Sequence, residues 1–213
     1  MTREQTAKRR EENEVEFSRI VAFSDGVFSI AITLLVLNLS LHQKDLVTDH
    51  EIWKALGEQW EPLLSYAISF AVIARFWLNH HRFFGDVVAF DGRLIGLNML
   101  YLALVVLIPF SSEVLGEYGG HAPSVVVYAS NLAAVVIVGF LMFEDARRAG
   151  LTETDEQTWR EGRVRAIFIV AVFLLSIPVA FLDPKLTPFF WLILFLDPTR
   201  RIVGAPDEPE RFG

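Results

Sequence analysis

Six stretches of this sequence contain no Asp, Glu, Lys or Arg, and charged residues crowd between them. The stretches cover residues 26–43, 62–74, 94–112, 124–143, 166–182 and 186–196. A helix needs about 20 mainly apolar residues to cross the hydrocarbon core of a bilayer. Repeated crossings explain this charge distribution better than one water-soluble core does, and a content of 53% hydrophobic and 21% charged residues agrees. We therefore predict an all-α, polytopic membrane protein with six transmembrane helices.

The predicted domain organisation is a six-span domain at residues 17–198, between a charged arm at 1–16 and a tail at 199–213. The arm is expected to be solvated and helical at most in part. The linker at 144–163 is interpreted as two short helical extensions. The sixth helix is the shortest, so a re-entrant or interfacial segment is its alternative. The predicted helices span about 17–43, 62–81, 94–112, 123–144, 164–183 and 186–198.

The placement of Lys and Arg supports six spans independently. If the N-terminus lies in the cytoplasm, that side collects all 19 Lys and Arg residues except Lys44, Lys54 and Lys185. An excess of these residues marks the cytoplasmic side of a membrane protein. Both the arm and the tail are therefore predicted to be cytoplasmic.

Composition and motifs argue against several other classes of protein. A net charge of −7 disfavours a nucleic-acid partner, and the lack of Cys removes thiolate chemistry and Cys-ligated metals. No phosphate-binding glycine loop, Gly-x-Ser-x-Gly elbow or His-Glu-x-x-His motif is present. The adjacent His80 and His81 lie about 100° apart around a helix, a poor arrangement for one metal ion. We predict no enzyme activity, no cofactor and no metal site.

Asp25 lies in the first turns of the first apolar stretch, where a charge needs a partner. An ionisable residue at membrane depth is costly unless it faces protein or water. Arg75, Asn79, His80 and His81 lie at the end of the second predicted helix, on the side where Asp25 is expected. This cluster either pins the helices together or acts as a gate through an ion pair or His protonation.

Beyond Asp25, one face of the first predicted helix is aliphatic. Ile30, Leu34 and Leu37 follow at i, i+4 and i+7, and Thr33 lies beside Ile30. Considered alone, this pattern favours a lipid-facing or core surface over a pore lining.

Two motifs resemble the transmembrane protein 175 family of lysosomal and prokaryotic potassium channels. Residues 19–26 read Arg-Ile-Val-Ala-Phe-Ser-Asp-Gly, similar to the family's Arg-x-x-x-Phe-Ser-Asp-Gly signature. Residues 77–84 read Trp-Leu-Asn-His-His-Arg-Phe-Phe, similar to its Trp-x-x-His-His-x-x-Phe stretch. The second motif follows in the next predicted helix, which makes the pair specific.

The resemblance implies a homotetrameric potassium channel of a prokaryotic cell membrane, with one six-helix repeat per chain and the first helix lining a central pore. It implies a hydrophobic constriction at Ile30, with Leu34 and Leu37 on the same stripe, and a layer at Thr33 that prefers potassium. Rings of aliphatic side chains from several subunits gate a pore by dewetting. The residues expected to support the pore helix are Arg19, Phe23, Ser24, Asp25, Gly26, Trp77, Asn79, His80, His81 and Asn98.

Two other classes of function stay open from the sequence. One is a six-span secondary transporter or proton-coupled carrier that uses Asp25 and His80 as a relay. The other is a non-conducting membrane scaffold.

Overall fold

The computed structural model describes residues 3–39, 48–58 and 60–196, and this part of the chain is almost entirely helical. A short 3₁₀ segment, Leu35–Asn38, continues the first helix, and two more flank the last one at Pro184–Leu186 and Leu192–Leu196. The α-helices are α1 (Arg3–Leu34), α2 (Asp49–Glu58), α3 (Trp60–Gly85), α4 (Gly92–Val106), α5 (Ile108–Tyr118), α6 (Ala122–Arg148), α7 (Glu156–Leu182) and α8 (Thr187–Trp191).

Four segments of the described chain are long and apolar enough to cross a membrane. They are Val15–Leu37, Gly92–Tyr118, Ala122–Arg148 and Glu156–Leu182. Helix α3 is 26 residues long, with Arg82 in its last turn. The polytopic all-α class is confirmed, whereas the number of six spans stays a prediction.

The first helix differs from its predicted bounds at both ends. It runs without a break from Arg3, so residues 3–16 of the predicted arm are helical throughout rather than only in part. Residues 3–25 contain neither Gly nor Pro and are rich in Arg and Glu, which favour helices. The α-helix ends at Leu34 instead of near 43, and residues 40–47 lie outside the described part.

Prolines account for two further differences. The third predicted helix, 94–112, is divided into α4 and α5 at Leu107, and Pro109 in the first turn of α5 has no N–H to donate. The sixth predicted helix, 186–198, is instead a series of short pieces up to Leu196. Pro184 and Pro188 remove donors there. Residues 197–213, including the predicted tail, lie outside the described residues.

The helices on either side of the predicted linker are longer than the sequence predicts. The linker at 144–163 is helical on both flanks, because α6 continues to Arg148 and α7 begins at Glu156. Asp155 caps α7 by accepting a hydrogen bond from the backbone N–H of Thr158. Helix α2 was not predicted, since its charged residues interrupt any long apolar stretch.

Helix α6 lies at the centre of the bundle and packs against α4, α5 and α7, while α1 packs mainly against α3 and α4. Phe28 and Ala31 of α1 enter the main hydrophobic core together with Leu35 of the 3₁₀ segment after it, and all three are at most 1% exposed. One face of α1 is therefore fixed on the bundle.

Candidate pore helix and its polar support

A chain of hydrogen bonds joins α1, α3 and α4 inside the bundle. Nε2 of His80 lies 2.8 Å from the amide oxygen of Asn98, which can only accept, so His80 carries a proton on Nε2. The amide nitrogen of Asn98 donates to the Ser24 hydroxyl at 3.0 Å, and Ser24 donates to the carbonyl of Ile20 at 2.9 Å. Ser24, His80 and Asn98 are all buried, so each bond replaces one to water that burial removed.

Aromatic rings surround His80. Its ring centroid lies 4.5 Å from that of Phe84, 5.4 Å from that of Phe28 and 5.6 Å from that of Tyr101. These rings exclude water, so the loss of any member of the hydrogen-bond chain would leave a polar group without a substitute partner.

Asp25 has its hydrogen-bond partner on α3, the helix in which the sequence predicts one. The indole N–H of Trp77 donates to the Asp25 carboxylate at 2.8 Å. The Trp77 ring also stacks on His81, with centroids 5.4 Å apart. This contact satisfies the polar requirement that makes Asp25 conspicuous in the sequence.

Six of the ten predicted support residues contact one another, in two groups. Ser24, His80 and Asn98 form one connected set, and Asp25, Trp77 and His81 form another. The side chains of Arg19, Phe23 and Asn79 are exposed within the single chain, as is Gly26. A role in supporting a pore stays a prediction for all ten of these residues.

Sequence reasoning missed the rings around His80, although helical spacing could have found them. Phe28 follows Ser24 by four residues, Phe84 follows His80 by four, and Tyr101 follows Asn98 by three. Residues at these spacings share a helix face. Each ring therefore lies on the same face as the polar residue before it.

The predicted pore stripe faces away from the bundle. Ile30 is 58% exposed, Leu34 36% and Leu37 70%, in contrast to the buried opposite face of α1. Thr33 is also exposed, and its hydroxyl donates to the carbonyl of Ile30 at 2.9 Å. Because its proton is committed to the backbone, the exposed Thr33 oxygen can take part in a further contact only as an acceptor.

Within the described residues, no group of three or more His, Asp or Glu side chains is placed to hold a metal ion. The described residues thus form one helical bundle with four apolar segments of membrane-spanning length. These features define a polytopic membrane protein.

Comparison with known proteins identifies the family. Residues 19–109 match the family described as endosomal/lysosomal potassium channel TMEM175, and this range includes every predicted site residue. A potassium channel of Streptomyces collinus is 35% identical over 180 residues, which cover 81% of this chain and 86% of the relative. The chain therefore belongs to the TMEM175 family, and the resemblance seen in the two motifs is confirmed.

Chamaesiphon minutus provides both a relative and a solved structure. A potassium channel of this organism is 40% identical over 137 residues, covering 63% of this chain and 68% of the relative. The crystal structure of a lysosomal potassium-selective channel TMEM175 homolog from the same organism matches with a TM-score of 0.71 and 31% identity. That match covers 90% of this chain and 100% of the other.

Proposed function

We propose that this chain forms a potassium-selective cation channel whose pore is lined by α1. Membership of a family with named potassium channels supports the ion. The observation that carries the proposal is that only one side of α1 is buried: Phe28 and Ala31 are fixed in the bundle, whereas Ile30 and Leu34 on the other side are exposed. A bare aliphatic stripe on an anchored helix fits contact with other copies of the chain around an axis.

The proposed assembly is a homotetramer with six spans per chain and both termini in the cytoplasm. Cyclic symmetry turns Ile30, Leu34 and Leu37 into rings of four side chains each. Water leaves a narrow aliphatic neck, and a dehydrated cation meets a large desolvation penalty there. These rings are the proposed gate, which conducts when the neck widens enough to stay wet.

Thr33 is the proposed selectivity layer. Its hydroxyl proton bonds the Ile30 carbonyl, which leaves the oxygen free to face a cation. Four such oxygens replace part of the hydration shell of an ion, and their spacing and field strength favour potassium over sodium.

The carrier with an Asp25–His80 relay is less well supported by the contacts. The partner of Asp25 is the indole N–H of Trp77, which is not an acid–base group at ordinary pH. His80 instead bonds the amide oxygen of Asn98, within a cage of aromatic rings. Neither contact offers a proton path between the two residues.

Purified protein reconstituted in liposomes tests the proposal. We expect efflux of potassium to exceed efflux of sodium under equal gradients, and a particle mass of four chains. Proton-coupled uptake that Asp25→Asn abolishes in a folded protein would favour the carrier. Vesicles that stay tight to both ions would favour the scaffold, and either result would contradict the channel.

A further inference from the structure

The side chain of Asn131 on α6 enters the break between α4 and α5. In the orientation that satisfies both ends of the amide, its nitrogen donates to the carbonyl of Leu104 at 3.1 Å. Its oxygen accepts from the N–H of Ile108 at 3.3 Å and from the Ser111 hydroxyl at 3.0 Å. One side chain thus binds the last turn of α4 and the first turn of α5.

The two backbone groups that Asn131 binds are a matched pair. In an unbroken α-helix the N–H of residue 108 would bond the carbonyl of residue 104. The Asn131 amide offers a donor and an acceptor to that pair and so serves as a substitute for the helical bond. Pro109 follows directly, and its ring disfavours a regular helix through this turn.

The two halves of the broken helix hold α1 at different levels. Helix α4 reaches Ser24 through the amide of Asn98, and its Tyr101 ring lies 6.2 Å from that of Phe28. Helix α5 contacts both α1 and the 3₁₀ segment after it, and Ile108 shares a core cluster with Leu35. A change in the angle between α4 and α5 would therefore shift the contact at Leu35 relative to the contacts at Ser24 and Phe28, and so tilt α1.

We propose that Asn131 is a positioning residue for the pore. Its amide bonds the backbone on both sides of the break, a contact we call the clasp, and so fixes the angle between α4 and α5 and with it the tilt of α1. This proposal rests on the proposed function for its link to ion flow. The clasp itself is a property of the fold and is tested separately.

The first test is hydrogen exchange in the purified, reconstituted protein. Asn131→Leu removes the substitute bonds, so amides in residues 104–112 should exchange about tenfold faster than in the wild type. Ser130→Leu is the matched control, because Ser130 is the exposed neighbour on α6. Adding Pro109→Ala to Asn131→Leu restores an N–H and permits a continuous helix, so exchange should slow again.

Potassium efflux from the same liposomes is the second readout. We expect Asn131→Leu to change the rate by about threefold or more and the double variant to return towards the wild-type rate, while Ser130→Leu matches the wild type. Unchanged local exchange in Asn131→Leu, or acceleration over the whole bundle, would overturn the clasp. Local acceleration with an unchanged efflux rate would overturn its link to the pore.

The failure of the two proposals can be told apart. If the wild-type protein passes no potassium, the proposed function fails. Hydrogen exchange still decides whether Asn131 stabilises the backbone at the break between α4 and α5. If the wild type conducts and Pro109→Ala does not reverse the effect of Asn131→Leu on exchange and efflux, the positioning role is wrong and the channel stands.

Discussion

The indole N–H of Trp77 donates a 2.8 Å hydrogen bond to the carboxylate of Asp25 and so ties α3 to α1 across 52 residues of sequence. Ser24, directly before Asp25, receives the amide of Asn98 from α4. Two consecutive residues of α1 are therefore bound by two different helices. This junction lies one to three turns before the aliphatic stripe, which makes it the place where α1 is held to its own subunit.

Trp77→Phe should destabilise the protein because it keeps an aromatic ring but removes the donor to Asp25. Leaving a partly buried carboxylate without this partner costs about 1–3 kcal/mol. We expect a lower thermal midpoint in detergent. Trp53→Phe, at a residue that is 74% exposed on α2, is the control and should leave the midpoint unchanged. Equal midpoints for the two variants would contradict a stabilising role for the bond.

Asn98→Leu should lower stability more than Ser24→Ala does. The first change strands the His80 N–H and removes the donor to Ser24, whereas the second strands one N–H of Asn98. Each buried group left without a partner costs about 1–3 kcal/mol. Ser29→Ala is the control, because the exposed Ser29 hydroxyl makes a similar bond to the carbonyl of Asp25. The order of thermal midpoints checks the prediction, and the reverse order would be evidence against it.

Ile30→Asn should raise potassium flux several-fold, since a ring of amides keeps a narrow neck wet. Ile167→Asn on α7 is a matched control, because Ile30 and Ile167 are both 58% exposed in the single chain. Liposome efflux of equal amounts of the two variants measures the difference. The same flux in both would place Ile30 against lipid rather than in a pore.

Thr33→Val should reduce the preference for potassium over sodium while some conductance persists. Valine has nearly the same shape but lacks the oxygen that is proposed to face the ion. Thr33→Ser retains the hydroxyl and is expected to keep the preference. The ratio of potassium to sodium efflux is the measurement, and an unaltered ratio in Thr33→Val would move the selectivity layer elsewhere.

Asp155→Asn should make the thermal midpoint less sensitive to acidic pH. Hydrogen bonds from the hydroxyl and the backbone N–H of Thr158 lower the pKa of the Asp155 carboxyl below its usual value. The ionised form therefore contributes stability above the ordinary Asp pKa of about 4, and this contribution is lost as the pH falls through the lowered value. The thermal midpoint should fall less in the variant than in the wild type on acidification, and parallel curves would exclude this contribution.

The sequence predicted the helical class, the family and the helix that supplies a partner for Asp25. The reason is physical: a carboxyl group in an apolar stretch requires a partner, and α3 carries polar residues at a similar depth. The sequence did not indicate which donor binds Asp25, because Trp is an apolar residue by composition and its indole N–H is easily overlooked as a partner for a carboxylate.

Tertiary packing decided the features that sequence reasoning could not reach. Residues 27–37 are apolar on both faces, so periodicity did not distinguish the buried Phe28 and Leu35 from the exposed Ile30 and Leu37. The backbone at the break near Leu107 is bound by Asn131, which lies on another helix. No local pattern near Pro109 points to that residue.

Helix α1 has 32 residues without interruption, hence a length of about 48 Å, while the apolar layer of a bilayer is about 30 Å thick. Such a helix is stiff, and it is held to α4 and α3 at Ser24 and Asp25, between its N-terminal turns and Ile30. A displacement of residues 3–14 would therefore reach Ile30 and Leu34 only by straining the bonds at Ser24 and Asp25.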